Sequence, residues 1–297
     1  MTPPEPFGFL NAFKPPGPTS TAFGSWVRHL LGGVPIGHWG TLDPDASGVL
    51  VLAVGRATRL LPLIPESRKQ YVFELVLGAA TETGDARGRV TERADVPAGW
   101  QAKLPAVAAA LVGPIDQVPP MYSAVKIEGT PLYVSARKGR TVARRSRRTY
   151  VHELRVLESA ERTARLLVEC EAGAYVRSLC EELGRGLGLP AHMGPLLRTA
   201  AGPFALADSY TPEEIAADPS ACLVDPLGVL PHERVEVDAA GAARFAHGNP
   251  VKSGAVAGSN GDVIVMAEGR ILGVGRVTQE GAVALIAPLR VLADKTT

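Results

Sequence analysis

Six consecutive aliphatic residues, Val49-Leu50-Val51-Leu52-Ala53-Val54, stand between Gly48 and Gly55. A run this short and this apolar, bounded by turn residues, reads as a buried strand. A chain that contains it must build a layered core around it. Directly ahead lies Gly37-His38-Trp39-Gly40-Thr41-Leu42-Asp43-Pro44-Asp45-Ala46-Ser47-Gly48, with an imidazole, three glycines and a carboxylate at Asp43. A carboxylate at the mouth of a buried strand is held by the sheet behind it, and chemistry is commonly mounted on a loop over such a scaffold. Asp43 is the candidate catalytic residue.

The chain has 297 residues, enough for one large domain and a small one. Hydrophobic residues make up 46% and charged residues 21%, the balance of a folded globular protein. No apolar run reaches the roughly 20 residues that span a bilayer, and the N-terminus lacks the features of a signal peptide. Cys170, Cys180 and Cys222 have no CxxC spacing and cannot all pair. They read as reduced thiols, which places the expected site of action in the cytoplasm.

The net charge is only +1, but it is unevenly spread. Between Lys126 and Tyr150 lie eight basic residues, Lys126, Arg137, Lys138, Arg140, Arg144, Arg145, Arg147 and Arg148, against one acid, Glu128. Such a block on a mildly acidic body is the footprint of a polyanion-binding segment. Its like charges repel one another until a counter-charge arrives. The alternative reading is a solvated basic loop.

Elsewhere the pattern predicts a helix after Thr19-Ser20, closed by Gly32-Gly33, and a short helical turn after Gly55 stopped by Pro62 and Pro65. A strand is expected at residues 71–77, with Tyr71, Phe73, Leu75 and Leu77 on one face. A polar loop follows at 81–88, then an Ala-rich helix near 101–112. Residues 115–150 read as an irregular, mobile excursion with a short helix at 132–138. Strands are expected at 150–158 and 164–171. A helix then carries Val176, Leu179, Cys180, Leu183 and Leu187 on one face, closed by Gly188 and Pro190. From about residue 231, apolar runs at 263–266, 271–275 and 282–286 alternate with glycine turns, as in a small all-β unit.

Several chemistries fit poorly. Asp43, Asp45, Ser47 and Gly48 partly mimic a calcium loop, but the twelfth position is Val54 instead of Glu. The six His and three Cys show no metal-ligand spacing. Neither a glycine-rich phosphate loop nor a Gly-x-Ser-x-Gly elbow occurs. What remains is side-chain chemistry without a cofactor or metal, with carboxylate as the nucleophile on offer. To act, Asp43 must stay ionised in a partly dry pocket, which a nearby guanidinium favours. Arg177, in the first turn of its helix, is a candidate for that partner and equally a candidate surface residue.

The residues from Gly37 to Leu50 closely resemble the catalytic motif of the bacterial tRNA pseudouridine-55 synthases, the TruB family. Gly8-Phe9-Leu10-Asn11, with Lys14-Pro15, Gly17 and Thr19-Ser20, is similar to the opening motif of that family. Further blocks follow in the family's order: Lys69-Gln70-Tyr71, Pro120 to Lys126, Gly173 to Ser178, and Leu196-Leu197-Arg198-Thr199. The resemblance covers most of the chain.

It implies an α+β fold: a catalytic domain over residues 1–230 with a central mixed, largely antiparallel sheet, and a small all-β PUA-like RNA-binding domain over 231–297. It implies that Asp43 attacks the target uridine, that Arg177 pairs with it, and that Tyr71 stacks on the extruded base and takes its C5 proton. His38 would fill the gap left by the flipped nucleotide. Tyr175 and Leu196 would line the base pocket. Lys14 and the thumb arginines Arg144, Arg145, Arg147 and Arg148, in a segment of about 126–150, would bind RNA. The implied partner is the T-arm of tRNA, the implied state a monomer, and no cofactor is implied. Trp39, Phe13 and Pro18 depart from the family's usual residues. Three other readings stay open: a synthase of different target, a non-catalytic RNA chaperone, and a hydrolase with a second catalytic carboxylate.

Overall fold

A computed structural model describes residues 5–64, 68–123, 125–127, 129–140, 142–252, 261–280 and 283–292. The side chains of Lys126 and Arg137, and the residues Glu128 and Ala282, lie outside the described set. The larger part of the chain is organised on a nine-stranded sheet. Its order is Gly8–Lys14, Ser47–Val54, Ala191–Ala201, Lys69–Leu77, Thr163–Cys170, Arg147–Ser159 and Gly113–Gln117. Short strands Ile36–Trp39 and Phe204–Ala205 join it alongside Ser47–Val54 and Ala191–Ala201. Leu197 and Arg198 pair in parallel with Ser47 and Gly48, and the other pairings described in this sheet are antiparallel.

Residues 49–54 are all fully buried, because the sheet is covered on both faces at this strand. On one face Leu50, Leu52 and Val54 join Phe73, Leu75, Leu166 and Val168 beneath the helices Ser20–Leu30 and Val176–Leu187. On the other, Val49, Val51 and Ala53 pack with Leu60 and Ile64 and with Ile264, Met266, Val274 and Leu292 from the C-terminal region. That is why the run does not alternate. Burying each of its larger side chains contributes about 1.5–3 kcal/mol. In Lys69–Leu77, by contrast, only Tyr71, Phe73, Leu75 and Leu77 are buried, as the alternation predicts.

Thr19 caps the first helix, its Oγ1 accepting from Ala22 N at 3.0 Å. Gly188, at φ +73°, ends the helix Val176–Leu187 in the left-handed conformation. Several elements differ from the sequence expectation. Ala191–Ala201, near the middle of the sheet, carries Gly194-Pro195 in its interior. A register break between Met193 and Leu196 accommodates the proline. Ile36–Trp39 is a strand where a loop is expected, so the loop that carries Asp43 shortens to residues 40–46. The turn Gly55–Leu63 continues through Pro62. Arg147–Ser159 begins three residues early, which moves Arg147 and Arg148 out of the excursion and onto a strand paired with Gln117 and Asp116.

The C-terminal region forms a five-stranded sheet ordered Glu233–Glu236, Asp262–Ala267, Arg270–Glu280, Val283–Val291 and Val251–Lys252. One helix, Ala239–Ala246, is added to the expected strands, and its Phe245 is fully buried. Arg56 and Arg59 tie this unit to the main body, donating to the carbonyls of Leu292 at 3.0 Å and Val291 at 2.8 Å. Cys170, Cys180 and Cys222 are unpaired and buried. Among the described residues, no helix is long and apolar enough to cross a membrane.

Candidate active site

The loop that carries Asp43 is held from three sides. Ser20, at the start of the first helix, accepts from Leu42 N at 2.8 Å and donates to Leu42 O at 3.0 Å. Gly17 N and the Lys14 ammonium both donate to the carbonyl of Pro44, at 2.8 and 3.1 Å. From the sheet, the Arg198 guanidinium donates to Val49 O at 2.6 Å, Gly40 O at 3.0 Å and Thr41 O at 3.5 Å. Gly48, at φ +101°, lets the strand entrance approach Arg198. A Cβ there would sit 2.2 Å from the Arg198 carbonyl oxygen.

Asp43 Oδ2 lies 3.2 Å from Arg177 Nε. Arg177 is 5% exposed at its side chain and Asp43 is 37% exposed, so the guanidinium is locked and the carboxylate is reachable. Arg177 also donates to Thr83 O at 3.1 Å and Tyr122 O at 2.8 Å, and its Nη1 stands 3.7 Å from Asp85 Oδ2. Burial pushes the Asp43 carboxyl above its ordinary range, and Arg177 pulls it back while Asp85 pushes it further up.

With Asp43 expected as the nucleophile, its protonation as pH falls through the raised value should stop turnover, so the acid limb should lie above the ordinary carboxylate range. Arg177→Gln removes the largest opposing charge and should move that limb to higher pH. A pH–rate profile of both proteins under single turnover checks the sign, and an unmoved limb refutes the electrostatic role of Arg177.

A cavity of about 360 Å³ opens at Asp43, lined also by Lys69, Tyr71, Tyr175, Leu196 and Arg177. Tyr71 is 8% exposed. Burial raises its phenol above the usual range, and the positive charge of Arg198 opposes the rise. Tyr175 is set by Gln117, whose Oε1 accepts from Tyr175 N at 2.9 Å and whose Nε2 donates to Tyr175 O at 3.2 Å. The structure therefore brings Asp43, Tyr71, Arg177, Tyr175 and Leu196 to one cavity.

Other expected residues are placed differently. His38 lies on Ile36–Trp39, opposite Leu52, and lines a separate groove with Thr21 and Arg28. Burial and Arg198 lower its pKa. Lys14 is expected to touch RNA, but it is fully buried with its ammonium bonded to Pro15 O and Pro44 O. It supports the Asp43 loop instead. Burial lowers its pKa to about 8. Arg145, Arg147 and Arg148 are exposed, whereas Arg144 is half-buried and donates to Pro119 O at 2.8 Å. The half-buried Trp39 takes the Lys69 ammonium over its ring, 5.7 Å from the centroid. Arg198, Gln117 and Asp85 are site residues that the sequence reading misses. The signal for Arg198 was a lone arginine in an apolar stretch, Leu196 to Ala201.

The profile described as TruB family pseudouridylate synthase (N terminal domain) matches residues 28–176. The chain belongs to this family. Two TruB C-terminal profiles match residues 177–222 and 234–292. A TruB relative from Symbiobacterium thermophilum, named tRNA pseudouridine synthase B, is 45% identical over 81% of this chain and 82% of its own length. One of the same name from Pseudomonas putida is 39% identical over 93% of both. Among solved structures, a chain of the "Crystal Structure of a Cbf5-Nop10-Gar1 Complex" superposes with TM-score 0.71 at 27% identity, over 98% of this TruB chain and 86% of that one.

Proposed function

We propose that this chain is a tRNA pseudouridine synthase that isomerises the T-loop uridine at position 55. The observation that carries the reading is the reachable Asp43 carboxylate paired with a locked Arg177 beside Tyr71 in one cavity. The relatives' shared name supplies the substrate class.

A uridine within a folded stem-loop is inaccessible to a nucleophile, so it must first be flipped out, which costs a few kcal/mol. Stacking on Tyr71 returns about 1–3 kcal/mol. Asp43 then attacks, at C6 of the base or C1′ of the ribose. The bond from N1 to C1′ breaks, the uracil turns, a bond forms from C5 to C1′, and the bond to Asp43 breaks to return the free carboxylate. C5 loses its proton at the end and N1 gains one, so the proton count is unchanged. Because burial keeps the Tyr71 phenol protonated, it serves as proton acceptor only if its own proton passes on, and the positive charge of Arg198 favours a developing phenolate. Substrate and product are isomers, and the proposal requires no cofactor.

Residues 1–230 act in this proposal as the catalytic unit and 231–297 as a PUA-like RNA-contacting unit, in a cytoplasmic monomer. His38 contributes by filling the space vacated in the T-loop, from the groove it lines with Thr21 and Arg28. Incubation with an unmodified tRNA transcript, followed by pseudouridine mapping, tests the assignment. Product at position 55 supports it, and product elsewhere points to a synthase of different target.

The exposed Arg145, Arg147 and Arg148, with Arg144, bind the RNA phosphates. Replacing all four by Gln should weaken transcript binding. It should also flatten the plot of log affinity against log salt by about 0.7–0.9 for each phosphate left unneutralised. Binding measured across a salt series checks this, and an unchanged slope removes the block from the interface.

A further inference from the structure

Ser123 stands at the root of the basic segment and lines the same cavity as Asp43, Tyr71 and Leu196. The residue is only 7% exposed, and its Oγ has no hydrogen-bond partner among the described residues. Among the described residues, the other buried side-chain atoms in that condition belong to Asn11, His38, Thr149, His152 and His232, none of which borders this cavity. A hydroxyl buried without a partner destabilises the free protein, and an orphan of this kind inside a cleft marks a place where a ligand completes the bonding.

The backbone that presents it is held at two points. On one side, the carbonyl of Tyr122 accepts from Arg177 Nη2 at 2.8 Å, and the same guanidinium lies 3.2 Å from Asp43. On the other, Val125 also lines the cavity, and its carbonyl accepts from the backbone of the buried Leu132 at 2.8 Å. The hydroxyl is thus carried between the catalytic arginine and the short helix Leu132–Arg137. A serine hydroxyl both donates and accepts, so it matches a carbonyl oxygen or N3–H of a uracil ring as well as a ribose hydroxyl.

We infer that Ser123 is a substrate-binding residue whose hydroxyl hydrogen-bonds the flipped pyrimidine nucleoside in the Asp43 cavity. The inference rests on the proposed uridine isomerisation and adds a recognition contact to it. Its place beside Arg177 makes seating of the nucleoside depend on the same guanidinium that pairs with the nucleophile.

The test compares wild type and Ser123→Ala on a T-arm stem-loop RNA. The target position carries uridine, 4-thiouridine or 2′-deoxyuridine, which separates a contact to the base edge from one to the ribose. Single-turnover rate, affinity and melting temperature are measured. Ser123→Ala should lose about 3- to 30-fold in rate or affinity on uridine. It should also lose discrimination against one of the two analogues. Its melting temperature should equal or exceed that of wild type, since an unbonded buried hydroxyl is removed. Wild-type rate and affinity in Ser123→Ala overturn the inference, as does a loss accompanied by a lower melting temperature or by unchanged discrimination. A wild-type protein that makes no pseudouridine on the uridine RNA overturns the proposed function itself, an outcome that does not depend on Ser123.

Discussion

Asp43→Asn is expected to cut pseudouridine formation by at least ~10³-fold, about 4 kcal/mol of barrier, the scale on which loss of a nucleophile acts. Asparagine keeps the volume and polarity of the side chain. The loop around it is bonded through backbone groups, by Ser20 at Leu42, by Lys14 and Gly17 at Pro44, and by Arg198 at Gly40 and Thr41. None of those bonds uses the Asp43 carboxylate. The fold should therefore survive, and affinity for a tRNA transcript should stay within about threefold, because phosphate contacts dominate binding. Single-turnover assays and filter binding on the same preparation read both quantities. Joint loss of binding and turnover would give Asp43 a folding or docking role instead. Near-normal turnover would remove it from the chemistry.

Arg198→Ala should cost about 4 kcal/mol or more of stability, because it strips a donor from Val49 and Gly40 in a fully buried setting. It should also slow turnover by about 10²-fold, the scale of an ångström-level misplacement, since the same guanidinium holds Gly40 and Thr41 ahead of Asp43 and its charge acts on the Tyr71 phenol. Arg198→Lys should recover only part of either loss, because one ammonium cannot reproduce a planar fork of donors. Denaturant unfolding and single-turnover rates check the two effects separately. If Arg198→Ala melts and reacts like wild type, the loop does not depend on this arginine.

The parts of the fold legible in the sequence were those with a local signature. The helix after Thr19 showed its cap and its apolar spacing, and the helix of Arg177 showed a stripe and a terminal glycine. Lys69–Leu77 showed its alternation. Ala191–Ala201 escaped notice because Gly194-Pro195 breaks the pattern that marks a strand, and only the bulge opposite Leu75 and Phe73 lets it pair. Arg147 and Arg148 read as part of an irregular excursion because arginine carries no strand signal of its own. Their strand conformation comes from the partner Gly113–Gln117. The carboxylate of the site was visible from its loop, and the family resemblance supplied roles for its neighbours. Lys14 was misassigned because a lysine in a motif looks the same whether its ammonium faces RNA or a backbone carbonyl.

By itself the chain determined that a buried strand would follow an acidic, glycine-rich loop, that a basic block would interrupt an otherwise mildly acidic chain, and that a strand-rich region would follow toward the C-terminus. These are properties of neighbouring residues, set by periodicity, turn chemistry and charge. Tertiary structure alone decided that Asp43 meets Arg177, 134 positions away by sequence number, that Arg198 pins the loop, and that Ser123 has a buried hydroxyl in the cleft with no partner among the described residues. The burial that raises the Asp43 carboxyl and the guanidinium that opposes it come from separate elements, and only their packing sets the balance between them.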